Sequence, residues 1–234
     1  MSYLSRLAGI RWNPFSQVLV RGYGECRISK NATLRNSTIY VAEGASLSIG
    51  NNVIIQDTRI FITEGAIVIG DNTICKGTTT NVDKGEVHIA DHSMIRAKRL
   101  WVRFGGKLAI GSYTNINEGS EVRCDLSVSI GSYCQISYNV NIWDTNTHSI
   151  LPRDVRRQVA RDKFPAFGYE STRPVAKTVV IGDDCWIGMN STIMKGSRIG
   201  NESIVAYGTL ITGKEIPERT TVANELTLRL IKHS

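Results

Sequence analysis

Residues Val179–Pro217 read VVIGDDCWIGMNSTIMKGSRIGNESIVAYGTLITGKEIP. Aliphatic residues return every six positions, at Ile181, Ile187, Ile193, Ile199, Val205 and Ile211, and Val175 stands one step earlier. Gly182, Gly188 and Gly200 directly follow three of these anchors. A period of six matches neither a helix, at 3.6 residues per turn, nor the alternation of a two-faced strand. It fits a solenoid in which each hexapeptide makes one flat face and three faces close a triangular coil. Each anchor then points inward and stacks on its equivalent in the next coil, about 4.8 Å away. Gly, Asn, Asp and Ser near the anchors suit the corners, where a positive φ costs such residues least.

The pattern extends upstream. Ile110, Ile116, Val122 and Val128 keep the step, as do Ile130, Ile136 and Ile142. A longer period overlies it, because Ile28, Ile49, Ile69, Ile89, Ile110 and Ile130 are 20 or 21 residues apart. Each start from Ile49 on is preceded two residues earlier by Leu47, Ile67, Val87, Leu108 or Val128. The spacing predicts about eight coils and a prism roughly 40 Å long. The surplus residues of the early coils are expected to form a bulge at one corner. The organisation expected is an N-terminal cap over residues 1–27, a repeat domain over 28–217 with a loop over 149–174, and a C-terminal cap over 218–234. Leu4, Leu7 and Ile10 are expected to help cover the first coil, and Leu226, Leu228 and Leu230 the last.

Composition narrows the function. The 234 residues carry 28 Lys and Arg against 21 Asp and Glu, a net charge of +7, so anionic partners are favoured. Aromatic residues make up 7%, with no basic-aromatic cluster of a nucleic-acid platform. No apolar run approaches the roughly 18 residues of a membrane span, so membrane contact is expected to be peripheral at most. Five cysteines without a Cys-x-x-Cys pair point to a reducing, cytoplasmic setting. His88 and His92 lack a third ligand pattern, and no metal site is expected.

The repeat over Ile28–Pro217, and most specifically the Val179–Pro217 run paired with an upstream His that opens a long loop, resembles the hexapeptide-repeat acyltransferases. It looks most like the sugar O-acetyltransferases, including those acting on galactosides, sialic acids or capsular polysaccharides. The resemblance implies an all-β, left-handed parallel β-helix, acetyl-CoA as co-substrate, and a homotrimer with sites in the grooves between subunits. Handedness cannot be read from spacing alone.

His148, in IWDTNTHSI, stands at the root of the loop and is the expected general base, since neutral imidazole suits proton removal near pH 7. Asp144 is the first candidate to orient its ring, with Asn146 competing. Trp186 occupies the WIG position of the family, and Trp143, one residue past an anchor, is expected to point toward the same groove. Gly188, Ala206 and Gly208 would let a pantetheine arm lie close to the backbone, and Lys195 and Lys214 could meet CoA phosphates. The family's usual Gly-x-Pro-Ala-Lys stretch is replaced here by Val222–Thr227. In the loop, Arg156, Arg157 and Tyr169 are the acceptor-side candidates, and its basic excess suggests an acidic glycan. The alternatives are acetyl transfer to the amine of an amino sugar, and a non-catalytic glycan-binding solenoid.

Overall fold

The computed structural model describes residues 3–6, 9–13, 18–165, 170 and 172–225. Among the described residues the chain winds as a left-handed parallel β-helix whose three flat faces are sheets of ten, nine and ten strands. Eight complete coils run from Glu25–Ile28 to Leu210–Thr212, and Glu215–Ile216 with Thr221–Val222 begin a ninth. Each coil visits the first, second and third face in turn. Thus Ser127–Ile130, Gln135–Ile136 and Asn141–Trp143 make up the sixth coil.

The six-residue anchors are the core. Ile181, Ile187, Ile193, Ile199, Val205 and Ile211 are all buried, and they stack in register with Ile130, Ile136 and Ile142 below. Full burial of one such side chain stabilises by about 1.5–3 kcal/mol, so the repeated stack is the main favourable term. Corners turn through left-handed residues. Along the edge between the first and second faces Asn52, Asn72, His92, Tyr113, Tyr133, Asp184, Glu202 and Arg219 all have φ between 55° and 58°.

Four expectations are corrected. The surplus residues of the early coils form no corner bulge but lengthen the strands. Gly65–Ile69, Gly85–Ile89 and Gly106–Ile110 have five residues and two fully inward side chains each, whereas Arg198–Ile199 has two residues. Val175 is 62% exposed, so its phase is a coincidence of spacing and the core resumes at Val179 and Ile181. The ninth coil continues beyond residue 217, since Thr221–Val222 pairs with Ile204–Val205. The loop also contains a helix, α1 (Arg153–Asp162), none of whose residues is buried.

At the N-terminal end, Tyr3–Arg6 runs antiparallel to Glu25–Ile28, and Gly9–Asn13 antiparallel to Val18–Gly22. Two of the three sheets therefore end on a reversed strand, which interrupts the parallel edge another chain could extend. Leu226, Leu228 and Leu230 lie outside the described residues. No described helix is long and apolar enough to cross a membrane.

Candidate functional site

The loop leaves the prism at the corner between the third and first faces, after Asn141–Trp143 and before Val179–Ile181. Its two roots are joined. Thr145 bridges Ala176, the Asn146 N–H donates to the Val175 carbonyl (3.0 Å), and the Lys177 N–H donates to the Asp144 carbonyl (2.8 Å). Beside this joint lies an open cleft of about 550 Å³ lined by Asn146, His148, Ser149, Ile150, Leu151 and Arg156. The structure thus brings His148 and Arg156 together, while Arg157 stays exposed on α1. Tyr169 lies outside the described residues.

His148 is 56% exposed, and its Nδ1 is 3.1 Å from Oε1 of Glu170, a side chain that is 11% exposed. The same carboxylate accepts the Ser149 N–H (3.1 Å) and the Ser149 hydroxyl (3.0 Å). An ionised carboxylate can only accept, so this contact puts the ring proton on Nδ1 and leaves the Nε2 lone pair free. Glu170 is not among the site candidates that the sequence offered. Its signal was position: it lies five residues before Val175, near the returning root.

Asp144 does something else. It is fully buried, and its carboxylate accepts the N–H groups of Asp125 (2.8 Å), Leu126 (2.7 Å) and Ser127 (2.7 Å). Those donors belong to the coil below, whose corner loses the carbonyls a regular coil above would supply. Asp144 sits one position past the Arg123–Trp143 pair, the inward site that Cys124 fills one coil earlier. Burial pushes its carboxyl above the ordinary aspartate range, against the downward pull of the three N–H groups. It caps an interrupted corner and does not orient His148.

Trp186 and Trp143 stand on different faces. Trp186 is 56% exposed on the second face, between Gln135 and Ile204 in register. Trp143 is half-buried on the third face beneath the Arg123 guanidinium, 4.9 Å from the ring centre. The small residues follow Trp186. Gly188, Ala206 and Gly208 occupy the corner between the second and third faces in successive coils. A Cβ on Gly188 would come within 2.7 Å of the backbone of Val205 and Tyr207, so close coil stacking already demands glycine there. Gly208 turns the corner at φ +66° with open space around it. Lys195 and Lys214 lie instead at the loop's corner, one and two coils beyond it. In one chain, therefore, His148, Arg156 and the two lysines occupy one corner, while Trp186 and the small residues occupy the second face and the next corner.

His92 is engaged on both ring nitrogens, with Asp91 Oδ2 (2.8 Å) and the Asn72 side-chain amide (3.3 Å), and its ring stacks on Tyr113 at 4.8 Å. No group of three or more His, Cys, Asp or Glu residues positioned for a metal occurs among the described residues.

Comparison with known proteins gives three results. Residues 178–213 match the family model described as bacterial transferase hexapeptide (six repeats). Among characterised relatives, the galactoside O-acetyltransferase of Lactococcus lactis subsp. lactis (strain IL1403) is 31% identical over 121 residues, covering 50% of each chain. That of Escherichia coli (strain K12) is 25% identical over 150 residues, covering 62% of this chain and 66% of the other. The chain spans about half the length of the Lactococcus protein. Among solved structures, the polySia-specific acetyltransferase NeuO superposes with a TM-score of 0.57 at 23% identity, covering 89% of this chain and 83% of its own.

Proposed function

We propose that the chain, whose residues 178–213 match the hexapeptide transferase model, is an acetyl-CoA-dependent O-acetyltransferase of that family acting on a hydroxyl of a sugar or polysaccharide, with His148 as general base. The observation that carries this reading is the His148–Glu170 contact at 3.1 Å on the rim of an open cleft. Nε2 takes the proton of the acceptor hydroxyl as its oxygen attacks the thioester carbonyl. The C–S bond then breaks, and the imidazolium returns that proton to the CoA sulfur. Glu170 keeps the ring in the tautomer that can accept and offsets its transient positive charge. The galactoside O-acetyltransferase relatives support the sugar hydroxyl as acceptor.

An acidic glycan fits the loop best. Helix α1 carries Arg153, Arg156, Arg157 and Arg161 against Asp154 and Asp162, and Arg156 lines the cleft that holds His148. A homotrimer belongs to the same reading, since His148 and the Trp186 side of the site lie on different parts of one prism and a second copy would join them. The cytoplasmic setting rests on the five unpaired cysteines.

The test is incubation with acetyl-CoA and matched neutral and sialylated glycans, following CoA thiol release and product mass. A gain of one acetyl group on a glycan, larger for the acidic set, is expected. Thioester stability with every acceptor would favour a non-catalytic glycan-binding solenoid.

A further inference from the structure

The residue before the candidate base has an unusual backbone. Thr147 has φ +66°, left-handed and costly for a β-branched side chain. In two other coils the place three residues past the last inward side chain of the third face is held by Gly44 (φ +77°) and Gly105 (φ +81°). A strained residue persists only where its surroundings over-determine it. Here both of its backbone polar groups are held. The Thr147 N–H donates to the Thr145 hydroxyl (3.1 Å), and the Thr147 carbonyl accepts from Nη2 of Arg103 (3.3 Å).

These two partners meet at Asp125. Arg103 donates to it through Nε (2.9 Å) and Nη2 (2.8 Å), and Thr145 donates its hydroxyl to Oδ2 (2.7 Å). Asp125 and Thr145 are fully buried and Arg103 nearly so. The guanidinium is also placed over the rings of Trp101 (4.7 Å) and Phe104 (5.0 Å). Arg103, Asp125 and Thr145 thus form a ladder up one corner through three consecutive coils, and it ends where the loop departs. A bidentate guanidinium–carboxylate pair has a fixed planar geometry, which makes it a stiff anchor.

We propose that Arg103, Asp125 and Thr145 are positioning residues that lock the Thr147 peptide and thereby fix where the imidazole of His148 stands. The inference rests on the reading of His148 as base. Glu170 fixes the ring's rotation and tautomer, whereas the ladder fixes the backbone from which the ring projects. Without it, Thr147 would relax toward negative φ and carry His148 away from its place in the cleft.

The test is the pair Thr145→Val and Thr145→Ser, beside wild type and His148→Ala. Valine keeps the shape of threonine and removes both hydrogen bonds, while serine restores them. Turnover is measured together with the KM values for acetyl-CoA and acceptor, and the ring nitrogens of His148 are followed by NMR in ¹⁵N-histidine-labelled protein. The valine variant should lose roughly 10- to 100-fold in kcat, the scale of a small misplacement of a catalytic group, with both KM values nearly unchanged. Its His148 resonances should shift or broaden, and the serine variant should return both readouts to wild type. With His148→Ala inactive, the proposal stands only if kcat and resonance move together in the valine variant and recover together in the serine one. Any other combination overturns it. If His148→Ala is fully active, the base reading falls, and the resonance alone decides whether the ladder orders the ring.

Discussion

Glu170 and His148, twenty-two residues apart, meet across the base of the loop with Oε1 and Nδ1 separated by 3.1 Å. The carboxylate is held in turn by the backbone and hydroxyl of Ser149, so the chain next to His148 fixes the partner of His148. The loop is therefore part of the candidate site, because its returning end supplies the carboxylate that faces Nδ1 of the ring.

Replacing Glu170 with Gln should lower kcat while leaving the KM for acetyl-CoA unchanged. The amide can present its NH₂ to Nδ1 and favour the wrong tautomer. The loss should be smaller than the roughly 10²–10⁴-fold expected for removing a general base outright. Steady-state kinetics at saturating donor checks this, and an unchanged kcat would separate Glu170 from the reaction.

Asp144→Asn should show the opposite signature. The new amide turns one donor toward a cluster of three N–H groups and leaves at least one of them unsatisfied. A buried unsatisfied donor costs about 1–3 kcal/mol, so the melting temperature should fall. Activity per folded molecule should stay near wild type. A large kcat loss at unchanged stability would return Asp144 to the catalytic machinery.

The architecture was legible because it repeats. Ile181, Ile187 and Ile193 announce the coil, and each burial follows from the same spacing. Where the repeat stops, so does its information. Asp144 looks like an ordinary polar corner residue, yet it fills an inward position because the coil above it is interrupted. Glu170 meets His148 through the closure of the loop, a contact with no periodic trace. Val155 and Val159, four apart, did carry a helical signal, and α1 could have been read from them. The ladder from Arg103 to Thr145 joins residues about twenty apart, and this becomes visible only when the coils are aligned in register.

Acid should weaken the fold partly through Glu121. Burial pushes this carboxyl up, but Arg123 and Arg99, the latter at 2.9 Å, outweigh burial and hold it below the usual glutamate range. A depressed folded-state pKa gives stability that is fully present above the unfolded value, about 4.3, and is lost as pH falls through the lower folded one. Thermal melts across that window should show a flatter acid limb for Glu121→Gln than for wild type, with a lower melting temperature at neutral pH. Parallel curves would exclude Glu121 from the acid response.

The five cysteines should be silent in the native protein. All are buried, and burial pushes the Cys26 thiol up to about 11 and that of Cys75 to about 12. Thiolate is the reactive form, and Cys185, whose thiol the Cys134 hydrogen bond draws down to about 7, is shielded by burial alone. A thiol reagent should therefore react slowly with the native protein, and all five cysteines should react once denaturant is added. Rapid labelling of the native protein would contradict this packing. It would also complicate any assay that reads the released CoA thiol.

The most direct measurement is the turnover of His148→Ala with acetyl-CoA and a glycan acceptor that the wild type acetylates, alongside its CoA affinity and melting curve. The account predicts a loss of roughly 10²–10⁴-fold in kcat, with CoA binding and cooperative melting retained. Wild-type turnover in this variant would contradict it, and so would a loss of activity that tracks a loss of folding.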